Sequence, residues 1–291
     1  MPAPVRPFTW MFLLPVLLLA GAADPSQPLA EDGDIEPFPG CRITRRTLAE
    51  PRPHVVYVVR LDPTAVRFSA TGDNGEEPLE TTLKTTRTFL EENRLDLAFN
   101  GSFYRSPGGV SPYADLCGAA VAGGQVVSQQ EPGFPAVEID GENRLKLLGQ
   151  NFGISGRHVV VAGSSVLVEN GRRRIAENPS DPAHPRTALG TTADGTLLVV
   201  LVDGRQRGVS EGVTQVELAD LLVAEGATLA INLDGGGSTT LVIRDKSGKG
   251  RVLNRPVGIF NQPGTERPVA FNLGVTAAPA EADGATRPAG E

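Results

Sequence analysis

Short apolar runs alternate with polar turns along most of the chain. His54–Leu61 is an apolar, valine-rich run, and Val66–Ala70 follows it after a short turn, which predicts a hairpin. Leu116–Val127 predicts a second hairpin that turns at two consecutive glycines. Two more hairpins are predicted, from Ala136–Asp140 with Arg144–Leu148 and from His158–Ala162 with Val166–Val168. The pattern therefore predicts an α+β fold of mixed, largely antiparallel sheets with a few packed helices, in a single domain.

Two segments have helical spacing of their apolar residues. Thr81 or Thr82 is the expected N-cap of a helix that runs to about Asn93. In the second segment, Thr214-Gln-Val-Glu217 matches a capping box and Gly226 lies where a C-cap glycine belongs. The second helix is the more firmly defined, because both of its ends carry a signal.

The second helix lies between two apolar runs, which gives a strand–helix–strand unit. Leu197–Val202 is wholly apolar and ends at Asp203 and Arg205, and Ala227–Leu233 follows the helix and ends at Asp234. In a crossover unit of this kind both strands end at the same edge of the sheet. Asp203 and Asp234 are therefore expected to be near neighbours.

The turn after Asp234 is unusual in composition. Asn232 and Asp234 end the strand, Gly235, Gly236 and Gly237 follow with Ser238, and a new apolar run begins at Thr239. One interpretation is a β-hairpin whose glycines supply positive φ angles. The other is a functional turn, because three glycines exceed what a hairpin needs and strand ends often carry function.

Composition narrows the class of protein. The 291 residues are 40% hydrophobic and carry a net charge of −7, with an isoelectric point near 5.2. That length suits one large domain or two small ones. The acidic balance argues against a nucleic-acid partner. Arg172-Arg173-Arg174 is the one basic run, and its place beside Asn170-Gly171 favours a solvated loop.

The N-terminus has the features of a signal peptide. Arg6 gives a positive charge, an apolar stretch spans Trp10–Leu19, and small residues fill Ala20–Ala23. We therefore expect cleavage after about residue 23 and export to the periplasm or the extracellular space, with no stable membrane span afterwards. Residues 24–53 are predicted to be an acidic, proline-rich spacer, 54–275 the folded domain and 276–291 a disordered tail.

Cysteine and histidine are sparse. Cys41 and Cys117 are the two cysteines, and in an exported chain they either form one disulfide or stay free. His54, His158 and His184 are scattered singly, so no zinc-type cluster is predicted.

Polar residues at the predicted strand ends are the candidate functional groups. Asn100, at the end of the run Leu95–Phe99, either braces a loop or meets a ligand. Arg186 has the planar fork that suits phosphate, with Thr187 beside it. The glycine amides with the serine hydroxyl form a candidate anion cradle, and two aspartates can divide acid and base roles. Together they favour hydrolysis of a phosphate-bearing substrate.

At these positions the chain resembles the phosphodiester glycosidase domain family, and an exported bacterial member in particular. The resemblance covers about His54 to Val275. Its most specific part is the order of Arg186-Thr-Ala-Leu-Gly190 and Ala230-Ile-Asn-Leu-Asp-Gly-Gly-Gly-Ser238. The looser matches are Asn100-Gly-Ser-Phe-Tyr104, Cys117-Gly118 with Val121 and Gly124, Asn151-Phe-Gly153, Asp203-Gly204, Arg255-Pro256 and Arg267-Pro268.

The resemblance implies a hydrolase that cleaves a sugar-1-phosphate diester, of the N-acetylglucosamine-1-phosphodiester type, at the anomeric carbon. The phosphate leaves as a stable anion, so a strong general acid matters less than in other glycosidases. Asp234, or else Asp203, is expected to act on water or to stabilise the sugar cation. Arg186 and the amides of residues 235–238 are expected to hold the phosphate, with Asn100, Asn232 and Thr187 orienting the sugar or bracing the carboxylates.

Two other functions fit the same residues. The first is a metal-dependent phosphodiesterase that breaks the P–O bond, with Asp203, Asp234 and Asn232 as oxygen ligands of calcium or magnesium. The second is a non-catalytic cell-envelope protein that binds a polysaccharide in the same cleft. The sequence requires no cofactor, and a divalent cation such as calcium or magnesium belongs only to the phosphodiesterase alternative.

Overall fold

The computed structural model describes residues 31–107 and 111–278, and the predicted signal peptide lies outside these ranges. The α-helices are α1 (Thr86–Glu92) and α2 (Gln215–Ala224), and a 3₁₀ turn spans Gly236–Ser238. The strands are β1 (Gly33–Phe38), β2 (Cys41–Leu48), β3 (His54–Leu61), β4 (Val66–Ala70), β5 (Thr81–Thr82), β6 (Leu97–Asn100), β7 (Tyr104–Arg105), β8 (Tyr113–Leu116), β9 (Ala120–Ala122), β10 (Gln125–Ser128), β11 (Ala136–Ile139), β12 (Leu145–Leu147), β13 (Val159–Ala162), β14 (Ser165–Glu169), β15 (Arg172–Arg173), β16 (Arg186–Thr192), β17 (Leu197–Val202), β18 (Ala227–Asn232), β19 (Leu241–Arg244), β20 (Gly250–Val252) and β21 (Asn272–Ala277).

These strands form one large sheet and three smaller ones. The large sheet has eight strands in the order β1-β2-β3-β17-β16-β18-β14-β15. The smaller sheets have the orders β10-β9-β13-β11-β12, β20-β19-β6-β21-β4 and β5-β8-β7. The strand pairs within these sheets are antiparallel, for example β16 with both β17 and β18. The fold is therefore mostly antiparallel sheet with two helices, as the alternation of short apolar runs predicts.

The main core lies between the large sheet and the two five-stranded sheets. Val59 and Val199 from the large sheet share this core with Phe99 and Val161 from the other two. The opposite face of the large sheet is covered by α2, whose Leu218 and similar residues pack on alternate residues of β3 and β17. Both faces of β17 are therefore buried, which explains why the strand has no polar position.

The predicted spacer over residues 24–53 is wrong for much of its length. Residues 33–48 form β1 and β2, and β2 pairs with β3 along eight residues. Ile35 and Ile43 from these strands are buried in the main core. The charges that suggested disorder lie on the exposed face, where Asp34 pairs with Arg42. Few apolar residues are needed here, because only one face of β1 and β2 is buried. At the other end, β21 extends the domain to residue 277.

Two of the four predicted hairpins are confirmed. β9 with β10 and β11 with β12 pair across short turns. The other two are wrong, because β3 and β4 belong to different sheets, as do β13 and β14. In both cases the short connection carries the chain across the core from one sheet to another.

The first predicted helix begins later than its sequence suggests. Thr81 and Thr82 form the short strand β5, and the side chain of Thr85 accepts the capping hydrogen bond from the Thr88 amide. The second helix has the predicted capping box, with both reciprocal hydrogen bonds between Thr214 and Glu217 present. A threonine pair is therefore a weaker start signal than a complete box.

The strand–helix–strand unit β17–α2–β18 is present, with one strand inserted. β16 lies between β17 and β18 and is antiparallel to both, so β17 and β18 run in the same direction. Both end at the edge where β16 begins, as predicted. Since neighbouring strands lie about 4.8 Å apart, these ends are separated by about 10 Å. Asp203 and Asp234 share an edge without being adjacent.

Both cysteines of the chain are buried and free, so the alternative of a disulfide between Cys41 and Cys117 is not realised. Burial raises the pKa of both thiols. Within residues 31–107 and 111–278, none of the helices is long and apolar enough to cross a membrane.

Candidate active site

The glycine-rich turn after β18 connects two sheets and is not a hairpin. β18 lies in the large sheet, whereas β19 pairs with β6 in a five-stranded sheet. Between them the chain makes the 3₁₀ turn Gly236–Ser238. The turn is fixed to the end of β6, because the Asp234 amide donates to the Gly101 carbonyl at 3.0 Å. Asp234 thus lies where the two sheets meet.

The carboxylate of Asp234 is held by groups of its own turn and by one arginine. Oδ1 accepts from the Gly235 amide at 2.8 Å, and Oδ2 accepts from the Ser238 hydroxyl. The Arg267 guanidinium lies 3.2 Å from Oδ2. Burial raises the pKa of the Asp234 carboxyl, and the charge of Arg267 opposes that rise. A carboxylate with a raised pKa and a small exposed area has the properties of a general base.

The glycine amides do not form the predicted anion cradle. The Gly235 amide is used by Asp234, the Gly236 amide donates to the Pro185 carbonyl at 2.8 Å, and the Ser238 amide donates to the Gly235 carbonyl at 3.1 Å. Three of the four amides at residues 235–238 are therefore committed within the protein. Of these amides only that of Gly237 is left for a phosphate, so most of the contacts to an anion here would come from side chains.

The glycines are required by close packing against protein backbone. A Cβ added at Gly235 would lie 2.6 Å from the Pro185 carbonyl oxygen, and one added at Gly237 would lie 1.9 Å from that of Gly258. Gly236 has φ of +60°, which disfavours other residues. Each glycine thus has a structural reason, and together they explain why three occur in sequence.

Two arginines flank the turn and supply its positive charge. Arg267 donates to the Ser238 hydroxyl through Nε at 3.1 Å, and its guanidinium lies 5.8 Å from the centroid of the Tyr104 ring. The Arg205 guanidinium lies over Gly236, so that a Cβ added at Gly236 would be 3.0 Å from Arg205 Nη2. Arg205 also donates a hydrogen bond to Asn261 Oδ1 at 3.0 Å. Partial burial, with repulsion from Arg267, lowers the pKa of Arg205. The pair forms a cationic rim around Asp234.

The protein interior next to Asp234 contains three buried polar side chains, those of Asn100, Thr187 and Asn232. Asn100 is fully buried, donates to the Asp234 carbonyl at 2.6 Å and accepts from the Thr187 hydroxyl at 2.8 Å. Asn232 donates to the Ser164 hydroxyl at 2.9 Å, and its Oδ1 is buried without a hydrogen-bond partner. Asn100, held in turn by Thr187, therefore braces Asp234, which is one of the two roles predicted for these residues. The Asn232 side chain contacts Ser164 instead.

Asp203 lies at the same sheet edge but within the protein. Its carboxylate accepts from Asn254 Nδ2 at 2.9 Å and from the Arg255 amide at 3.0 Å, and the residue is 4% exposed. Burial raises the pKa of this carboxyl, and the two donors oppose the rise. Asp203 therefore ties the 254–255 segment to the end of β17. Its hydrogen bonds are to this segment and not to the arginines that flank the glycine turn, so we assign Asp203 a bracing role.

Arg186 also has a structural role in place of the predicted contact with phosphate. Its Nη2 donates to Asp181 Oδ1 at 2.8 Å and to the Pro182 carbonyl at 2.9 Å, while Nε donates to the Val213 carbonyl at 3.1 Å. The side chain is 11% exposed. The fork is used to fold the 181–185 segment against the start of α2.

The predicted oxygen ligands for calcium or magnesium are not brought together. Asp203 faces two N–H donors, Asn232 is paired with Ser164, and Asp234 is paired with Arg267. Across the described part of the chain, no three His, Cys, Asp or Glu side chains are grouped so as to hold a metal ion.

Arg267 and Arg205 contact the glycine turn, although neither is among the site residues predicted from the sequence. Arg205 follows β17 and has φ of +59°, a conformation that turns its side chain back over the glycines. Arg267 lies 33 residues after Asp234. The available signals were the Arg267-Pro268 pair, noted only as a loose family match, and the position of Arg205 at a strand end.

Comparison with known proteins agrees with this architecture. YomE, an uncharacterized SPbeta prophage-derived protein of Bacillus subtilis (strain 168), is 28% identical over 205 residues, and the match covers 64% of this chain and 28% of YomE. A hypothetical protein from Synechocystis superposes with a TM-score of 0.63 at 12% identity, covering 85% of this chain and 64% of its own. The chain thus spans less than a third of the curated relative.

A second solved structure carries an enzyme name. The zebrafish N-acetylglucosamine-1-phosphodiester alpha-N-acetylglucosaminidase catalytic domain, described as auto-inhibited by its pro-peptide, superposes with a TM-score of 0.60 at 18% identity, covering 86% of this chain and 84% of that one. At such identities these structures show a shared fold. The model of the phosphodiester glycosidase family matches residues 93–276, more than half of the chain. The protein therefore belongs to the phosphodiester glycosidase family.

Proposed function

We propose that this protein hydrolyses a sugar-1-phosphate diester, of the N-acetylglucosamine-1-phosphodiester type, at the anomeric carbon. The observation that carries the proposal is the Asp234–Arg267 pair, in which a carboxylate and a guanidinium meet at the junction of two sheets with 11% and 27% of their side chains exposed. A base and an anion-binding group side by side are what the reaction requires. Family membership supports the same class of reaction.

In the proposed reaction Asp234 takes a proton from a water molecule as the water oxygen bonds to the anomeric carbon. The bond between that carbon and the phosphate oxygen breaks, and its electron pair leaves with the phosphate monoester. The raised pKa of Asp234 favours proton uptake. The hydrogen bonds from Gly235 and Ser238 fix the direction of the carboxylate.

Arg267 and Arg205 are proposed to hold the phosphate and to stabilise the charge that develops on it. Both flank the turn, and a guanidinium offers parallel N–H donors that match phosphate oxygens. Burial, and then repulsion from Arg267, lower the pKa of Arg205, and an anion bound between the two arginines relieves the repulsion. Removal of one such donor from a transition state typically costs about 10²–10³-fold in turnover.

Hydrolysis in ¹⁸O-labelled water tests the bond that is broken. The substrates are a panel of sugar-1-phosphate diesters that begins with an N-acetylglucosamine-1-phosphodiester. Label in the C1 hydroxyl of the released sugar is the expected result. Label in the phosphate would overturn the proposal in favour of the P–O-cleaving phosphodiesterase, and repetition after chelator treatment then tests for calcium or magnesium.

Asp234→Asn tests the base. The variant keeps the shape of the side chain and removes its proton affinity, so we expect turnover to fall by about 10²–10⁴-fold. Asp220→Asn on the exposed side of α2 is the matched control, because Asp220 is exposed and pairs with Arg173 at the surface, so the change should leave turnover as it is. If Asp234→Asn turns over like the wild type, Asp234 is not the base.

We also propose that the protein is exported and acts on a cell-envelope or extracellular glycan phosphate. The charged and apolar pattern of residues 1–23 supports this. Fractionation of cells that express the full chain, compared with a chain lacking residues 2–23, is the test. The binder alternative predicts that the wild type binds sugar-phosphate polymers and turns over none of the panel.

A further inference from the structure

A cavity formed by the described residues has none of the Asp234 site residues in its lining. Its volume is about 550 Å³, within the range of small-molecule sites. Two loops face each other across it, 130–136 and 148–152. They place Phe134 and Phe152 in the walls, with the exposed amide side chains of Gln130, Gln150 and Asn151 at the rim.

The strand β7 contacts both the candidate active site and a residue of the cavity lining. Tyr104 lies under the guanidinium of Arg267 at the active site. The next residue, Arg105, lies over the Phe134 ring with its guanidinium carbon 5.8 Å from the centroid. Consecutive Cα atoms are about 3.8 Å apart, so two successive residues of one strand connect the two sites.

A second connection runs through the opposite wall. The Gly163 amide donates to the Pro135 carbonyl at 2.8 Å. A Cβ added at Gly163 would lie 2.3 Å from the carbonyl oxygen of Asn232, two residues before Asp234. Gly163 thus contacts both Pro135, which lines the cavity, and the strand that leads to the candidate base.

The charges at the cavity are neutralised within the protein. Arg105 forms two hydrogen bonds with Glu131, at 2.9 and 2.5 Å. Arg157, whose guanidinium lies 5.4 Å from the Phe152 centroid, pairs with Glu138 and donates to the Gly153 carbonyl at 2.5 Å. What the cavity offers to a ligand is therefore aromatic surface and uncharged amides.

We propose that this cavity binds a neutral sugar unit next to the reacting one, so that the substrate is a glycan chain and not an isolated sugar phosphate. A pyranose ring has an apolar C–H face that packs on a phenyl ring, and its hydroxyls need both donors and acceptors, which amides supply. The inference rests on the proposed function for the position of the reacting sugar. Sugar binding in the cavity is independent of it.

The test uses binding without turnover. The full chain with Asp234→Asn is titrated, by calorimetry, with neutral tetrasaccharides of N-acetylglucosamine and of mannose that lack phosphate, and with an acidic tetragalacturonate and a tetrapeptide for comparison. We expect a neutral tetrasaccharide to bind and the other two to fail. Absence of binding by both neutral sugars at millimolar concentration, or preference for the acid or the peptide, overturns the proposal.

Gln150→Ala with Asn151→Gly removes two of the three rim amides and leaves Gln130 in place. Asn151 has φ of +57°, so glycine preserves its backbone, and Asn170→Gly is the matched control because Asn170 has φ of +53° in the distant β14–β15 turn. We expect the double variant to bind the tetrasaccharide about tenfold more weakly and the control to bind as before. Equal binding by the double variant refutes the cavity as the site.

Chain-length dependence separates this inference from the proposed function. With active protein, the ratio of kcat/KM for a tetrasaccharide phosphodiester to that for a monosaccharide phosphodiester should fall about tenfold in the double variant. Tetrasaccharide binding without any turnover leaves the cavity in place and removes the proposed function. If the short substrate is turned over, but the tetrasaccharide does not bind and chain length has no effect, the proposed function stands and the cavity inference is refuted.

Discussion

Replacement of Asp203 by asparagine should lower the free energy of unfolding and leave turnover nearly unchanged. The carboxylate accepts one hydrogen bond from Asn254 Nδ2 and one from the Arg255 amide, and it is 4% exposed. An asparagine keeps one acceptor oxygen and turns an N–H₂ group towards the other donor. One buried donor is then left without a partner, which costs about 1–3 kcal/mol.

The size of the effect can be measured by thermal and denaturant unfolding. For a domain of this length, about 2 kcal/mol lowers the Tm by about 4–8 °C. Turnover, measured well below the Tm on folded protein, should stay within about threefold of the wild type. Asp234→Asn is the paired comparison and should show the opposite split. Unchanged stability of Asp203→Asn with a 100-fold loss of turnover would refute the bracing role and make Asp203 a catalytic residue.

The same variant predicts a pH dependence with a definite sign. Burial raises the pKa of the Asp203 carboxyl in the folded protein, so the folded state binds more protons than the unfolded state above pH of about 4. The free energy of unfolding therefore falls as pH rises through the folded pKa. The asparagine does not titrate, so the stability advantage of the wild type over Asp203→Asn should be larger at pH 5 than at pH 8. An advantage that grows with pH contradicts this assignment.

Two further substitutions test the turn. Arg267→Gln should lower kcat/KM about 10²–10³-fold by removing a charged donor, whereas Arg144→Gln, an exposed arginine in a surface ion pair, should have no effect; equal activities would exclude Arg267 from phosphate binding. Gly237→Ala places a Cβ 1.9 Å from a carbonyl oxygen, so we expect a lower Tm and lost turnover, whereas Gly141→Ala has free space and should behave as wild type; a fully active, stable Gly237→Ala would show that the turn is not tightly packed.

Local pattern was enough to predict the elements that depend on local interactions. Both ends of the second helix could be predicted, because the capping box and the C-cap glycine each lie within a few residues of the helix end that they define. The β11–β12 hairpin was predicted for the same reason. The strand β16 between β17 and β18 could not be predicted, because strand partners are chosen by contacts across the whole sheet.

The candidate site was predicted in position more than in role. Asn100 and Asp234 were both placed at strand ends, and they meet there. A buried amide has the same sequence signature whether it braces a loop or binds a sugar, so the bracing role of Asn100 required the contacts. The Arg186 guanidinium has the geometry to bind a phosphate, but it donates instead to Asp181, five residues earlier. Arg267 had no local pattern at all.

The junction of two sheets at Asp234 has a consequence for how activity is acquired during folding. The hydrogen bond from Asn100 to the Asp234 carbonyl joins residues 134 positions apart, and the bonds at Asp203 span 51 and 52 positions. Contacts this distant in sequence form late and make folding slow. Each sheet alone carries only part of the constellation. Recovery of turnover after dilution from denaturant should therefore follow the slowest phase of refolding, and a chain nicked between β6 and β18 should lose activity whenever its two pieces separate.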